Sequence, residues 1–238
     1  MSISITEMRD CMEAMKEFPD KFWDLAVVDP PYGIGVGTMP YTNGVARVGN
    51  ALANRRDYRH AEWDIKPEKA YFDELFRVSK RQIVWGGNYF SDVLYPSKGF
   101  IVWDKRIKDN MTNDFADCEL AWLSDGLGVA RVFRYLWNGM LQGDMKNKEE
   151  RSVFPCQKPV ALYKWILSRY VKAGDKILDT HLGSQSSRIA AYDLGLDFWG
   201  YEIDEFYFTE GNKRFEEHTR QQSIFDMVES AEQLTIGD

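Results

Sequence analysis

Cysteine, histidine and long apolar runs are all scarce in this chain of 238 residues. Its three cysteines, Cys11, Cys118 and Cys156, form no Cys-x-x-Cys pair. Neither a disulfide framework nor a zinc ribbon is expected, and a reducing cytoplasm fits. The three histidines, His60, His181 and His218, are too scattered to build a metal cluster, so no metal site is expected. No apolar run approaches the roughly 18 residues of a membrane span, and the charged first twenty residues argue against a signal peptide. A positive excess is missing too: 30 Lys and Arg stand against 37 Asp and Glu, a net charge of −7. No global basic field attracts polyanions, so a polyanionic partner must be met by local patches. What is present is ordinary globular usage, 44% hydrophobic and 28% charged, at a length that suits one domain with an insertion.

Along the chain, strand and helix signals alternate. Ser2 to Ile5 read as a half-buried strand, Glu7 to Glu17 as a helix ended by Pro19, and Leu25 to Val28 as a strand buried on both faces. Asp29, Pro30 and Pro31 end that strand, because two prolines cannot continue a central one. Residues 33–62, with several glycines and with Arg47, Arg55, Arg56 and Arg59, read as a long mobile loop. Helical spacing returns from Pro67 to Ser79. Ile83 to Trp85, Phe100 to Trp103, Leu120 to Leu123 and Val129 to Trp137 follow as strands. Val160 to Val171 reads as a helix opened by Pro159. A βαβα unit closes the pattern: strand Lys176 to Asp179, helix Ser187 to Leu194, strand Phe198 to Glu202, helix Asp204 to Glu217. The last twenty residues carry only a faint apolar stripe, compatible with a packing helix. The expectation is a single α/β domain over residues 1–238.

Asp29, Pro30, Pro31 and Tyr32 are the most informative cluster. A strand end in an open α/β sheet faces the ligand crevice, which places Asp29 and Tyr32 where substrates bind. Pro30 has no N–H, so its carbonyl stands beside the Asp29 carboxylate as a second acceptor. Two acceptors next to one flat ring suit an exocyclic amine on a base, its ring stacked and both N–H groups accepted. Held so, the nitrogen lone pair is withdrawn from the ring and becomes nucleophilic. The bland alternative is a simple turn, since Asp and Pro are turn residues.

A second cluster lies near the C-terminus. Asp179 ends a strand, Thr180 to Ser184 form a small-residue turn into a helix, and Glu202 ends the next strand near the spacing of a ribose-binding acid. Only Gly183 is glycine there, whereas a pyrophosphate needs closer backbone approach. That favours S-adenosylmethionine over a dinucleotide; a plain structural turn is the alternative. Gly33, Gly35 and Gly37 imitate a cofactor loop, but Pro40 and the glycines that follow leave no helix for it to open.

With both clusters in view, the chain resembles the amino-group DNA methyltransferases of adenine-N6 type, with the catalytic motif ahead of the cofactor motif. Asp29 to Tyr32 match the family's catalytic tetrad, and Gln157, Lys158 and Pro159 match the segment ahead of its cofactor strand. Asp179 to Ser184 and Gly200 to Glu202 look like its cofactor and ribose motifs, and Asp10 stands where it has an acidic residue. The departures are Phe154 and Cys156 for its His and Thr, and Gln185 for its second glycine. The resemblance implies a class I methyltransferase sheet, Rossmann-like, of about seven strands with helices on both faces. It implies transfer of a methyl group from S-adenosylmethionine to a flipped adenine. Asp29, Pro30, Pro31 and Tyr32 would be catalytic; Asp10, Gln157, Lys158, Asp179, Thr180, Gly183, Ser184 and Glu202 would bind the cofactor.

Residues 105–151 lie where the family keeps its target-recognition region. Double-stranded DNA is the expected partner, gripped by Arg47, Arg55, Arg56, Arg59, Lys105, Arg106 and Lys108. A homodimer and a separate restriction endonuclease are compatible with the resemblance. Asn88, in the Gly86 to Phe90 segment, is a weaker site candidate. The competing readings are cytosine-N4 transfer, RNA or protein-glutamine methylation, and a non-catalytic DNA-binding subunit.

Overall fold

The computed structural model describes residues 2–35, 63–106, 116–138 and 156–235, and the backbone of short strands at 47–48, 51–52 and 141–142. In chain order the elements are β1 (Ser4–Met8), α1 (Cys11–Lys16), β2 (Leu25–Val28), β3 (Arg47–Val48), β4 (Ala51–Leu52), α2 (Lys69–Val78) and β5 (Gln82–Trp85). There follow β6 (Gly99–Asp104), β7 (Cys118–Leu123), β8 (Arg131–Arg134), β9 (Trp137–Asn138) and β10 (Leu141–Gln142). Then come α3 (Val160–Tyr170), β11 (Lys176–Asp179), α4 (Ser186–Asp193), β12 (Asp197–Glu202) and α5 (Glu205–Thr235).

One sheet of eight strands organises the chain, in the order β1, β12, β11, β2, β5, β7, β6, β8. Seven of these run parallel to one another; β7 alone is reversed, antiparallel to both β5 and β6. The eighth strand, β8, is an addition to the expected seven. It pairs with β6 from Ile101↔Arg131 to Asp104↔Arg134, and its arginines leave a charged, exposed edge that discourages further pairing.

The strand pattern explains the two-sided burial. Leu25 and Val27 of β2 enter one apolar cluster with α3 and α4, while Ala26 and Val28 enter the other with α1 and α2. Successive side chains alternate faces, so a strand covered on both sides reads as an unbroken apolar run.

Several boundaries differ from expectation. Glu7 and Met8 belong to β1, because its register against β12 continues to Met8↔Glu202. The helix starts at Cys11, where Asp10 Oδ1 accepts from the backbone N–H of Met12 at 2.8 Å and of Glu13 at 3.1 Å. Val129 to Trp137 is two strands, β8 and β9, not one. Pro159 caps α3 from outside, with φ −70 and ψ 147, and α5 runs on past Glu217 to Thr235.

This topology puts the carboxyl ends of β1, β12, β11, β2, β5 and β6, and the amino end of β7, along one edge of the sheet. Open α/β sheets bind ligands at that edge. No helix among the described residues is long and apolar enough to cross a membrane.

Candidate active site

Asp29 follows the last residue of β2, and the Tyr32 hydroxyl donates to its Oδ1 at 2.7 Å. The Lys158 ammonium, arriving from the segment ahead of α3, donates to Asp29 Oδ2. The same ammonium stands 3.4 Å from the Tyr32 hydroxyl and 3.4 Å from Glu119 Oε2 on β7. Lys105 in turn donates to Glu119 Oε1 at 3.0 Å. Charges therefore alternate along the rim: Asp29, Lys158, Glu119, Lys105.

Lys158 is only 4% exposed. Burial opposes its charge, but Asp29 and Glu119 outweigh that and hold its pKa above the usual value. Burial pushes the Asp29 carboxyl up, against Lys158, which pulls it down. Burial also opposes charge on Glu119, yet Lys158 and Lys105 together hold it below the ordinary carboxylate range.

The Tyr32 ring is seated from several sides. Tyr89 stacks on it at 4.8 Å between centroids and 18° between planes, and Phe90 meets it edge-on at 6.0 Å. Gly86, just past β5, has φ +69, and a Cβ there would lie 2.2 Å from Tyr32 Cε1. The ring occupies space that any other residue at 86 would fill.

One strand away, β11 ends in the second cluster. Asp179 is 2% exposed; its carboxylate accepts from the His181 backbone N–H at 3.0 Å and from the Ser187 hydroxyl. Burial pushes its pKa up to about 7, and the charge of Asp29 adds to the rise. Thr180 Oγ1 shares hydrogen bonds with the Tyr71 hydroxyl at 2.7 Å and His181 Nδ1 at 2.9 Å. Burial pushes His181 down to about 4, so the ring is neutral near pH 7. Glu202 Oε2 accepts from the Gly183 N–H at 2.8 Å, and Oε1 from those of Ile203 and Asp204 at 2.9 and 3.0 Å. Burial raises its pKa against those three donors. Ser184 is buried, its hydroxyl 3.1 Å from that of Ser186.

Gly183 takes φ +47 and has open space where a side chain would begin. Gln185 also takes a left-handed backbone, φ +58. Its fully buried side chain explains why glycine is not needed: Nε2 donates to Asn212 Oδ1 at 3.1 Å, and Arg188 donates to its Oε1 at 2.8 Å. The turn keeps a glycine-type conformation while its side chain ties α4 to α5.

A cavity of about 280 Å³ opens beside this turn, lined by Cys11, Met12, Pro67, Glu68, Tyr71 and His181. Asp10 adjoins it in sequence, its Oδ1 committed to capping α1. A second cavity, of about 320 Å³ around Arg81, Arg131 and Arg169, lies at the amino ends of the parallel strands and holds none of these groups.

Lys158 is the surprise among the sequence candidates. Expected with the cofactor group, its ammonium lies on Asp29; its neighbour Gln157 is buried. Lys105 and Arg106 reach the right edge, but both are paired, Arg106 with Asp104 at 3.2 Å and Asp117 at 3.3 Å. Arg47 is described in its backbone alone, opposite Leu52; Arg55, Arg56, Arg59 and Lys108 lie outside the described residues, as do most of the loop 33–62 and residues 107–115, 139–140 and 143–151 of the segment 105–151. Asn88 is exposed. Sequence reasoning missed Glu119, Tyr89 and the seat at Gly86. The Gly86-Gly87 pair after a strand was the available signal for close approach; Glu119 offered none. Among the described residues no group of acids, histidines and cysteines could hold a metal.

Comparison with known proteins follows the same lines. Residues 97–213 match the DNA methylase family of N6 and N4 methyltransferases. This stretch takes in Glu119, Lys158 and the 179–202 cluster and begins after Asp29. The chain is 22% identical over 244 residues to the type II methyltransferase M2.MboI of Moraxella bovis, covering 86% of this chain and 84% of that protein. M1.HpyAVI in complex with SAM shares its fold with a TM-score of 0.51 and 20% identity, over 89% of this chain and 99% of that one. The PvuII DNA methyltransferase, cytosine-N4-specific, does so with a TM-score of 0.57 and 12% identity, over 92% and 91%. The fold is the class I methyltransferase sheet, as the sequence led one to expect.

Proposed function

We propose that this chain, a member of the amino-group DNA methyltransferases, transfers a methyl group from S-adenosylmethionine to the exocyclic N6 amine of an adenine turned out of DNA. The observation that carries this reading is the Asp29–Tyr32 pair, 2.7 Å apart, at the end of a strand directly beside the 179–185 turn.

The residues around that turn fit the cofactor. The open space at Gly183 admits a ligand against the backbone. Three N–H donors on Glu202 leave one of the roughly four acceptor positions of a carboxylate for a ribose hydroxyl. Asp10, with Oδ2 left over from capping, suits a donor on the adenine moiety. S-Adenosylmethionine, when bound, supplies an electrophilic methyl group on its sulfonium.

The chain's own groups prepare the nucleophile. Asp29 accepts one N–H of the base amine and the Pro30 carbonyl the other, which localises the lone pair on nitrogen. Tyr32 supplies the stacking face. Methylation leaves a proton on that nitrogen to be lost to solvent; Asp29 orients and polarises. Turning out a base costs a few kcal/mol. Stacking returns about 1–3 kcal/mol and each hydrogen bond about 1 kcal/mol. The pocket breaks even, so the duplex must be gripped elsewhere. The arginines of the 47–60 loop are our candidates, with Lys105 and Arg106 once their carboxylate partners are exchanged for phosphates.

An acid at position 29 favours adenine. Cytosine-N4 transfer is the second reading, favoured by the fold shared with the cytosine-N4-specific PvuII enzyme. Incubating the protein with unmethylated DNA and S-adenosylmethionine, then digesting to nucleosides for mass spectrometry, separates them. N6-methyldeoxyadenosine is expected, N4-methyldeoxycytidine supports the second reading, and neither product overturns both. Calorimetry with the cofactor tests the non-catalytic alternative, since a subunit with a degenerate pocket would not bind it.

A further inference from the structure

Asp29 has a partner that the proposed chemistry does not use. Lys158 spends one hydrogen bond on the same carboxylate that must receive the base amine, and it does so from a nearly closed site. Besides its bond to Asp29 it has a carboxylate 3.4 Å away, Glu119, itself fixed by Lys105 at 3.0 Å. The Trp85 ring, 5.1 Å from its ammonium, forms another wall. A lone buried cation would be costly, and a second carboxylate at 3.4 Å leaves Lys158 paired when the first is taken.

We propose that Lys158 is a positioning residue for Asp29: it keeps that carboxylate ionised in the empty site and falls back on Glu119 when the base amine takes its place. The inference rests on the methyltransferase reading and adds how the acceptor is held ready.

The surroundings of Asp29 single Lys158 out. From its own loop it faces Tyr32; from the segment ahead of α3, Lys158 and Cys156; from β7, Glu119; from β11, Asp179. Tyr71 of α2 and Tyr163 of α3 also sense its charge, and both are phenols held neutral by burial. Lys158 is the one cation in this set. Without it, burial and the like charges of Glu119 and Asp179 favour the protonated acid, whose hydroxyl donates where an acceptor is required.

The test compares pH–rate profiles of wild type, Lys158→Met, Lys158→Arg and Glu119→Gln on the DNA they methylate, with cofactor affinity by calorimetry and thermal unfolding as a fold check. In Lys158→Met the acid limb should move up by about one pH unit or more, the effect of removing a neighbouring opposite charge, with cofactor affinity unchanged. Lys158→Arg should restore the wild-type limb. Glu119→Gln removes a like charge from beside Asp29, so it should move the limb down, opposite to Lys158→Met, and raise KM for DNA roughly tenfold, the size of one charge-assisted hydrogen bond, because the cation loses its second carboxylate. An unmoved acid limb with weakened cofactor binding would return Lys158 to the cofactor site and overturn the proposal. A 13C-carboxyl titration of Asp29, assigned through Asp29→Asn, gives a readout independent of turnover. Its midpoint must rise in Lys158→Met. If it rises in a protein that methylates no DNA, the function is wrong and the pairing right; if it stays put, the pairing is wrong whatever the substrate.

Discussion

Replacing Gly86 by alanine asks whether the seat of Tyr32 is built as described. The new methyl would lie 2.2 Å from Tyr32 Cε1 and 2.6 Å from Cδ1, far inside contact distance, at a backbone with φ +69. A left-handed residue with a Cβ costs about 1–2 kcal/mol, and forcing an extra carbon into filled space costs about 1–3 kcal/mol. Gly86→Ala should therefore destabilise the protein by roughly 2–5 kcal/mol if Tyr32 stays in place. Where the ring yields, stability recovers and activity falls, because the 2.7 Å bond to Asp29 is broken. A double-mutant cycle distinguishes these from backbone strain alone. In a Tyr32→Ala background the methyl meets no ring, and Gly86→Ala should cost only the strain of about 1–2 kcal/mol. Denaturant unfolding of the four proteins should thus give a coupling of about 1–3 kcal/mol, and methylation by Gly86→Ala should drop at least tenfold with cofactor affinity unchanged. Equal costs of Gly86→Ala in both backgrounds would show that the glycine does not seat the tyrosine.

Asp29→Ala should lower the methylation rate roughly 100- to 1000-fold, as loss of a preorganised polar group does, with unchanged cofactor affinity by calorimetry; Asp29→Asn should be milder, since an amide oxygen still accepts. Glu202→Ala should weaken cofactor binding roughly 10- to 100-fold, the loss of a hydrogen bond to a charged group, and unchanged affinity would remove Glu202 from the site. Asp179 and His181 predict opposing pH dependences. Asp179, raised to about 7, binds its proton in the folded state before the unfolded one does, so its contribution is complete at low pH and is lost as pH rises towards 7. His181, lowered to about 4, contributes above its unfolded value and loses that as pH falls towards 4. Between about pH 4 and 6.5 the two offset each other, so denaturant unfolding of Asp179→Asn should lose stability on acidification more steeply than wild type, and an unchanged slope would refute the assignment.

How much of this was legible from residues alone depends on the range over which each feature is encoded. Strand β2 and its end could be read because the information is local: Leu25 and Val27 face one core cluster, Ala26 and Val28 the other, and Asp29-Pro30-Pro31 stops the ladder. The turn at 179–184 was legible for the same reason. Its departure at Gln185 was legible only as an oddity, since a left-handed glutamine makes sense once Asn212 and Arg188 are seen to hold its side chain. The start of α1 was misplaced because the register of β1 against β12 decides whether Glu7 and Met8 extend a strand, and that register belongs to the opposite end of the chain.

The same distinction separates the acid of the site from its counter-ion. Tyr32 reaches Asp29 from three residues away, a relation that a tetrad carries within itself. Lys158 reaches it from 129 residues away, and its second acid stands on the one reversed strand, whose insertion between β5 and β6 turns Glu119 to the catalytic edge. A Gln-Lys-Pro string ahead of a helix says nothing about which carboxylate its lysine will meet. The motifs therefore locate the groups proposed to touch the base. If Lys158 acts as proposed, the topology supplies the charges that set their protonation, and sequences sharing the tetrad should differ in working pH through residues at the positions of Lys158 and Glu119.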